Sequence, residues 1–186
     1  MLLNRVNIIK IFFLIVFIFS FFVGFALKDY VPGGAITDFR DMIWPTLQSF
    51  KKDFYFSIEN YGSFTDASYP LYYIINAYLN PFTSNKTEFL FSITIISFAS
   101  FFLFAFLLKK NLSKIEYLDC LLVSSIILLL PFYRSSAYWG TSENFGWIFF
   151  ILALYNFLKI RNYSNKPNNY EIFITICFCF FSSCAL

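Results

Sequence analysis

Long apolar runs separated by short polar segments dominate this chain. An α-helix rises 1.5 Å per residue and needs about 20 apolar residues to cross the hydrocarbon core of a bilayer. Five stretches reach or approach that length, at residues 8–27, 89–108, 118–133, 141–158 and 171–186. The third and fourth are short and must draw on flanking residues. The pattern predicts an all-α, polytopic membrane protein, with residues 1–186 forming a single membrane domain of four to five transmembrane helices.

The longest polar interruption, residues 28–88, begins with an amphipathic pattern. Trp44, Leu47 and Phe50 recur at intervals of three, and polar residues fall between them. This spacing predicts a helix near residues 38–54 with one apolar side. We expect that side to lie at the level of the lipid headgroups, with Trp44 as its anchor.

A second short helix is predicted near residues 70–80 of the same segment. Pro70 suits a first helical turn, and Pro81 ends the pattern about three turns later. Such a helix is too short to cross a bilayer. We therefore expect a short re-entrant or interfacial helix at 70–80, and an interfacial helix at 38–54.

The distribution of lysine and arginine predicts how the chain is oriented. The N-terminus and the segments 109–117 and 159–171 are net positive, whereas acidic residues outnumber basic ones in 28–88. Positive segments stay on the cytoplasmic side. We therefore expect a cytoplasmic N-terminus, an external loop at 28–88 and a first helix that is retained as an anchor.

The composition supports a membrane protein and excludes several functions. Of the 186 residues, 59% are hydrophobic, 24% are aromatic and 13% are charged, about half the charged fraction of a soluble domain. This excludes a cytosolic enzyme, and the net charge of +3 is too small for a nucleic-acid-binding surface. The chain has no histidine, which removes Ser-His-Asp triads and histidine metal sites, and its four cysteines lie in apolar runs. We predict no metal-ligand set.

An acidic pair stands early in the external loop. Asp38 and Asp41 are three residues apart, with Arg40 between them. On a helix this spacing places both carboxylates on one face. Near a low-dielectric surface, such a pair could accept a proton from a hydroxyl group or hold a divalent cation. The alternative is a solvated loop with balanced charges.

The segment 131–147 combines hydroxyl, aromatic and charged groups. Thr141 can cap the helix that follows, and Glu143 then lies in the first turn, where the helix dipole favours an acid. Sugars bind through aromatic faces and through hydrogen bonds to carboxylates and hydroxyls. The candidate substrate ligands of this segment are Arg134, Tyr138, Trp139 and Glu143. The alternative is that Glu143 is a capping acid paired with Arg134.

The order of these features resembles the GT-C superfamily of polytopic glycosyltransferases, including its dolichyl-phosphate-mannose-dependent and Rgt-like members. The matching features are one span, a long external loop with an early acid at Asp38, the stretch Tyr69-Pro70-Leu71-Tyr72-Tyr73, and Thr141-Ser142-Glu143-Asn144 at a later external helix start. The similarity extends over about residues 8–160.

The resemblance implies inverting transfer of a sugar from a polyprenyl-phosphate-linked donor to a glycan or lipid acceptor on the extracytoplasmic face. Asp38, or else Asp41, would be the general base. The implied substrate ligands are Arg134, Glu143, Tyr138, Trp139 and Tyr72. The carrier lipid would lie between helices of the bacterial inner membrane, and nucleic acid is not a partner. Family members usually have eight or more spans, so we expect an N-terminal fragment.

Two other classes remain open. An O-antigen or exopolysaccharide polymerase also acts on polyprenyl-linked sugars, but it relies on arginines in large external loops, where this chain offers Arg40 and Arg134. A non-catalytic polytopic protein, such as a permease fragment, is the second alternative. Transporters usually bury charged residues or broken helices at mid-membrane, and the predicted spans are almost free of charge.

Overall fold

The computed structural model describes residues 5–29, 34–64, 70–112, 114–163 and 169–185, so Tyr69 of the Tyr-Pro-Leu-Tyr-Tyr stretch lies outside the described residues. Every regular element within these ranges is helical. The α-helices are, in chain order, α1 (Arg5–Ala26), α2 (Ala35–Asp38), α3 (Trp44–Lys52), α4 (Phe54–Glu59), α5 (Tyr61–Phe64), α6 (Leu71–Leu79), α7 (Lys86–Asn111), α8 (Tyr117–Ser125), α9 (Pro131–Trp139), α10 (Glu143–Tyr163) and α11 (Asn169–Ala185). A π-helical turn (Phe39–Ile43) joins α2 to α3, and a 3-10 turn (Ile126–Leu129) extends α8.

Two described helices, α1 and α7, are long and apolar enough to cross a membrane. Apolar residues predominate in both helices, and neither contains proline. The start of α7 is capped by Asn85, whose side chain accepts a hydrogen bond of 2.8 Å from the backbone N–H of Thr87. Lys109 and Lys110 lie in its last turn, where the helix dipole favours positive charge.

A third candidate span is bent. The α8 helix with its 3-10 turn meets α9 at an angle of 72° across a short break. Pro131 has no backbone N–H and disfavours a helical conformation in the residue before it, and Leu130 is accordingly extended, with ψ of 120°. The helix at the span predicted for 118–133 is therefore broken before Pro131. The two pieces together are long and apolar enough to count as one broken span.

The described residues thus contain two candidate spans, or three if the bent pair is one, and not the four to five predicted. The predicted span at 141–158 corresponds to α10, which is long enough but carries polar and charged residues near both ends. The predicted span at 171–186 corresponds to α11, whose apolar part, Tyr170–Ser182, is short. These two helices pack along each other.

The described apolar residues form two cores, one of which covers the amphipathic helix. Leu47 and Phe50 of α3 are fully buried against α6 and α7. Trp44 is half-buried, and its ring lies beside the rings of Phe39 and Phe89. The apolar side of α3 is therefore covered by protein and not by lipid headgroups as predicted. The second core joins α1, α7, the 3-10 turn and α9.

Candidate functional site

A small cavity with several polar side chains lies where the start of the predicted external segment meets the junction of α9 and α10. Its volume is about 90 Å³. The residues that line it are Ala35, Asp38, Phe132, Ser135, Ser136, Thr141 and Glu143. The cavity thus brings together Asp38 and Glu143, two predicted site residues that are distant in sequence. Three hydroxyl side chains, the ring of Phe132 and the methyl group of Ala35 complete its lining.

A π-helical turn separates the two predicted catalytic carboxylates. Asp38 ends α2 and is half-buried at the cavity, whereas Asp41 lies within the π-helical turn and is exposed. A π-helix has a wider turn than an α-helix, so residues three apart no longer share a face. The prediction that both carboxylates share one face is therefore wrong. Such single π-helical turns occur frequently at functional sites.

Asp41 is engaged by its neighbour Arg40. The guanidinium Nε and Nη2 atoms of Arg40 lie 2.6 and 2.9 Å from the two carboxylate oxygens of Asp41. This bidentate hydrogen bond holds the pKa of Asp41 below its ordinary value. Asp41 therefore stays ionised and outside the cavity.

Glu143 is oriented by two hydroxyl groups. Its carboxylate accepts hydrogen bonds from Ser136 Oγ, at 3.1 Å, and from Thr141 Oγ1. Thr141 Oγ1 also lies 2.8 Å from Ser136 Oγ. Thr141 was predicted to cap α10, and its hydroxyl group instead links α9 to the first residue of α10. The carboxylate is thus fixed at the edge of the cavity.

The backbone turn at Gly140 makes this arrangement possible. Gly140 has φ of 64°, a left-handed conformation that ends α9. The turn lets the N–H of Thr141 donate to the carbonyl of Ser136 at 3.2 Å. A Cβ at Gly140 would lie 2.9 Å from the ring of Phe89, so the position also lacks space for a side chain.

Arg134 lies in a separate cluster against the C-terminal end of α1. Its Nη2 atom is 3.0 Å from a carboxylate oxygen of Asp29 and 3.3 Å from the carbonyl of Ser20. Its Nε donates to the hydroxyl of Tyr138 at 3.1 Å. The alternative in which Arg134 pairs with Glu143 is therefore wrong, since the partner is Asp29.

The predicted aromatic ligands also make structural contacts. The hydroxyl of Tyr138 donates to the carbonyl of Phe21, and the indole N–H of Trp139 donates to the carbonyl of Asp29 at 3.3 Å. Tyr72 is buried, and its hydroxyl donates to the carbonyl of Gly140. Burial raises the pKa of Tyr72 well above its ordinary value. These three side chains hold the site in place, and they do not line its cavity.

Four lining residues were not among the predicted site residues: Ala35, Phe132, Ser135 and Ser136. The adjacent serines, Ser135 and Ser136, belong to the hydroxyl-rich segment 131–147. That richness in hydroxyl groups is the sequence feature from which they could have been predicted. Within the described ranges, no three His, Cys, Asp or Glu side chains form a group that could hold a metal ion. A cation in the cavity would depend on two carboxylates and the neighbouring hydroxyl oxygens.

Comparison of the chain with protein-family models, with curated proteins and with solved structures gives no match. In the part of the chain that the structure describes, the protein is α-helical, and two to three of its apolar helices could span a membrane. The resemblance to the GT-C superfamily rests on the short motifs in the sequence.

Proposed function

We propose that this chain is a membrane glycosyltransferase, or part of one, that moves a sugar from a polyprenyl-phosphate carrier to an acceptor hydroxyl on the extracytoplasmic face. One observation carries the proposal: the shared cavity of Asp38 and Glu143, with the hydroxyl groups of Ser135, Ser136 and Thr141 around it. Two carboxylates, several hydroxyls and an aromatic ring suit the recognition of a carbohydrate.

In the proposed reaction, Asp38 is the general base. Its carboxylate takes the proton of the acceptor hydroxyl as the acceptor oxygen attacks the anomeric carbon of the donor sugar. The bond between that carbon and the phosphate oxygen breaks, and polyprenyl phosphate leaves with the electron pair. Attack from the face opposite the phosphate inverts the anomeric configuration. A positioned base of this kind contributes about 10²–10⁴-fold to the rate.

Glu143 would bind the acceptor and not act as a second base. Its carboxylate already accepts hydrogen bonds from Ser136 and Thr141, which fix its direction. A cavity of about 90 Å³ is well below the volume of about 300–1,000 Å³ that usual ligand pockets have. The cavity would therefore receive the reacting hydroxyl, and the remainder of both substrates would lie at its mouth.

A phosphate-binding role for Arg134 is part of the proposal. For this role, the phosphate of the donor must replace one of the present partners of the guanidinium. The guanidinium is held by Asp29, by the carbonyl of Ser20 and by Tyr138. Asp29 is the partner that a phosphate could replace, since its side chain is 53% exposed. The planar fork of arginine suits two phosphate oxygens.

The proposal includes the finer membrane arrangement predicted from the sequence. In it, α10 and α11 cross the membrane beside α1, α7 and the bent pair, and the N-terminus is in the cytoplasm of a bacterial cell. The excess of lysine and arginine in the segments 109–117 and 159–171 supports this orientation.

The proposal can be tested by a transfer assay on membranes that contain the chain. Labelled hexoses and pentoses on polyprenyl phosphate would serve as donors, and membranes without the chain as the blank. We expect Asp38→Asn to lower the rate at least 10²-fold with unchanged abundance in the membrane. Asp41→Asn is the matched control and should retain most activity, because Asp41 is exposed and lies outside the cavity.

Two results would overturn parts of the proposal. Full activity in Asp38→Asn would remove the general-base role. An absence of transfer from every donor by the unaltered chain would favour the non-catalytic alternative.

A further inference from the structure

Helix α4 presents a cluster of apolar side chains to the surroundings. We call Phe54, Tyr55, Phe56 and Ile58 the α4 patch. Tyr55 is 80% exposed and Phe56 is 54% exposed, and the other two are also exposed. Contiguous exposed apolar surface of this kind usually marks an interaction site.

The orientation of α4 is fixed by its polar residues. Ser57 is fully buried, its hydroxyl donates to the carbonyl of Asp53 at 2.7 Å, and it lies 2.8 Å from the hydroxyl of Ser49. The Asp53 side chain caps the helix by accepting a hydrogen bond of 3.0 Å from the N–H of Phe56. Because Ser57 faces the protein, the α4 patch faces outward.

The α4 patch continues into the apolar surface of a candidate membrane span. The ring of Phe54 lies 6.2 Å from the ring of Tyr78, and the next residue, Leu79, is 77% exposed. Leu79 then lines an apolar groove of about 810 Å³ together with Phe91 and Ile95 of α7. One exposed apolar band therefore runs from the candidate span α7 to α4. The α7 part of this band faces the bilayer if α7 spans it. Because the band is continuous, α4 then lies at the edge of the same bilayer.

Two positive charges border the α4 patch. Lys51 and Lys52 end α3 directly before it, and both are exposed. The carboxylate of the nearby Asp53 caps α4 and keeps its negative charge, so it offsets one of the two positive charges. Glu59 at the other end of α4 is the remaining acid. The border on the α3 side is thus positive, which complements an anionic headgroup.

We infer that the α4 patch docks into the headgroup region of the bilayer and that Lys51 and Lys52 contact anionic phospholipids there. Aromatic rings favour the membrane–water interface, because one end of the ring is apolar and the other tolerates water. Lysines near an anionic surface are attracted to it. This role replaces that expected of Trp44, which is half-buried against protein. It does not depend on the proposed transferase activity.

The position of α4 can be measured with a fluorescent probe. The full chain with its four cysteines replaced would carry an environment-sensitive dye at Tyr55→Cys and be reconstituted in vesicles of phosphatidylcholine and phosphatidylglycerol. Reference sites are Phe19→Cys on the exposed surface of α1 and Lys114→Cys in an exposed polar segment. Because Tyr55 is highly exposed, its substitution leaves the packing intact.

We expect the probe at Tyr55→Cys to be quenched by a lipid that carries a spin label near its headgroup, and only weakly by aqueous iodide. Iodide quenching as strong as at Lys114→Cys, without lipid quenching, would show that the patch is in water and overturn the inference. Protection from both quenchers would also overturn it, because the patch would then be covered by a second copy or by another protein.

The contact with anionic lipid has its own test. Spin-labelled phosphatidylglycerol should quench the probe at Tyr55→Cys more strongly than spin-labelled phosphatidylcholine. Lys51→Gln with Lys52→Gln should lower this preference by about fivefold per lysine. Lys86→Gln is the matched control, because the Lys86 ammonium lies over the ring of Trp44, 6.0 Å from its centre. An equal loss in Lys86→Gln, or no loss in the double variant, would overturn the lysine contact.

Discussion

The guanidinium of Arg134 lies 3.0 Å from the carboxylate of Asp29, and this ion pair joins α9 to the residues that follow α1. The same guanidinium donates to the carbonyl of Ser20, inside α1. Ser135 and Ser136, the next two residues of α9, line the cavity that contains Asp38. The attachment of Arg134 to α1 thus helps to set the position of one cavity wall.

Gly24 is required for this attachment. A Cβ at Gly24 would lie 2.0 Å from Nη2 of Arg134 and 2.8 Å from the hydroxyl of Tyr138. Gly24→Ala should therefore displace the guanidinium from Asp29 and Ser20. We expect Gly24→Ala and Arg134→Ala each to lower the free energy of unfolding by about 1–2 kcal/mol, since Asp29 is partly screened by solvent. Thermal unfolding in detergent would measure both.

A double-mutant cycle separates this mechanism from unrelated damage. If Gly24→Ala acts by displacing Arg134, the combined variant should be no less stable than Arg134→Ala alone. Additive losses would show that alanine at position 24 disturbs α1 in some other way. Leu27→Ala is a suitable control, because Leu27 is exposed beyond the end of α1.

The buried hydroxyl of Tyr72 provides a second prediction. It donates to the carbonyl of Gly140, so Tyr72→Phe leaves that carbonyl without this donor in a buried environment. We expect a loss of about 1–3 kcal/mol in the free energy of unfolding. The matched variant is Tyr78→Phe, which removes a hydroxyl that donates to the carbonyl of Phe50 at 2.8 Å but is largely exposed. Equal losses would contradict a special role for the buried contact.

The ionisation of Asp41 provides a third prediction. Its pKa lies below the ordinary value because Arg40 donates to the ionised carboxylate. A lowered pKa stabilises the folded state above the unfolded pKa, and this contribution is lost as the pH falls through the folded pKa. Arg40→Gln should raise the pKa of Asp41 towards its ordinary value, which carbon-detected NMR of the carboxyl group would show. Lys51→Gln removes one charge elsewhere in the segment and should leave that pKa unchanged.

The long helices could be predicted because each depends only on the residue types within its own segment. The apolar runs that form α1 and α7 must be helical if they enter a bilayer, since a helix satisfies its own backbone hydrogen bonds. The short helix α6 lies between Pro70 and Pro81, two residues with strong positional preferences. In these cases, residue type and spacing alone limit the structure.

The cavity could be predicted only in part. Asp38 and Glu143 were identified separately, as an acid in a loop and as an acid at a helix start. Their meeting depends on the packing of distant segments, which spacing does not encode. The π-helical turn after Asp38 has no residue signature in the sequence, and it changes which acid faces the cavity. Arg134 had two acidic partners available, and tertiary packing selects Asp29.

The orientation of the chain in the membrane provides the last prediction. Lysines lie in the last turn of α7 and just after it, and acidic residues outnumber basic ones in residues 28–88. The excess of positive charge predicts that the C-terminal end of α7 faces the cytoplasm. A single cysteine at Ser63→Cys should therefore react with a membrane-impermeant maleimide added to intact cells, in a chain whose natural cysteines are replaced. Ser63 is exposed on α5.

The matched site is Leu112→Cys, which is exposed just after α7. It should react only after the membrane is permeabilised. Ser63 and the cavity residue Asp38 belong to the same segment before α7, so labelling at Ser63→Cys also reports the side on which the cavity opens. Reversed labelling would place the cavity in the cytoplasm, where a donor carried on the outer leaflet could not reach Asp38. That result would contradict the extracytoplasmic transfer reaction, while the ion pair of Arg134 and the burial of Tyr72 would be unaffected.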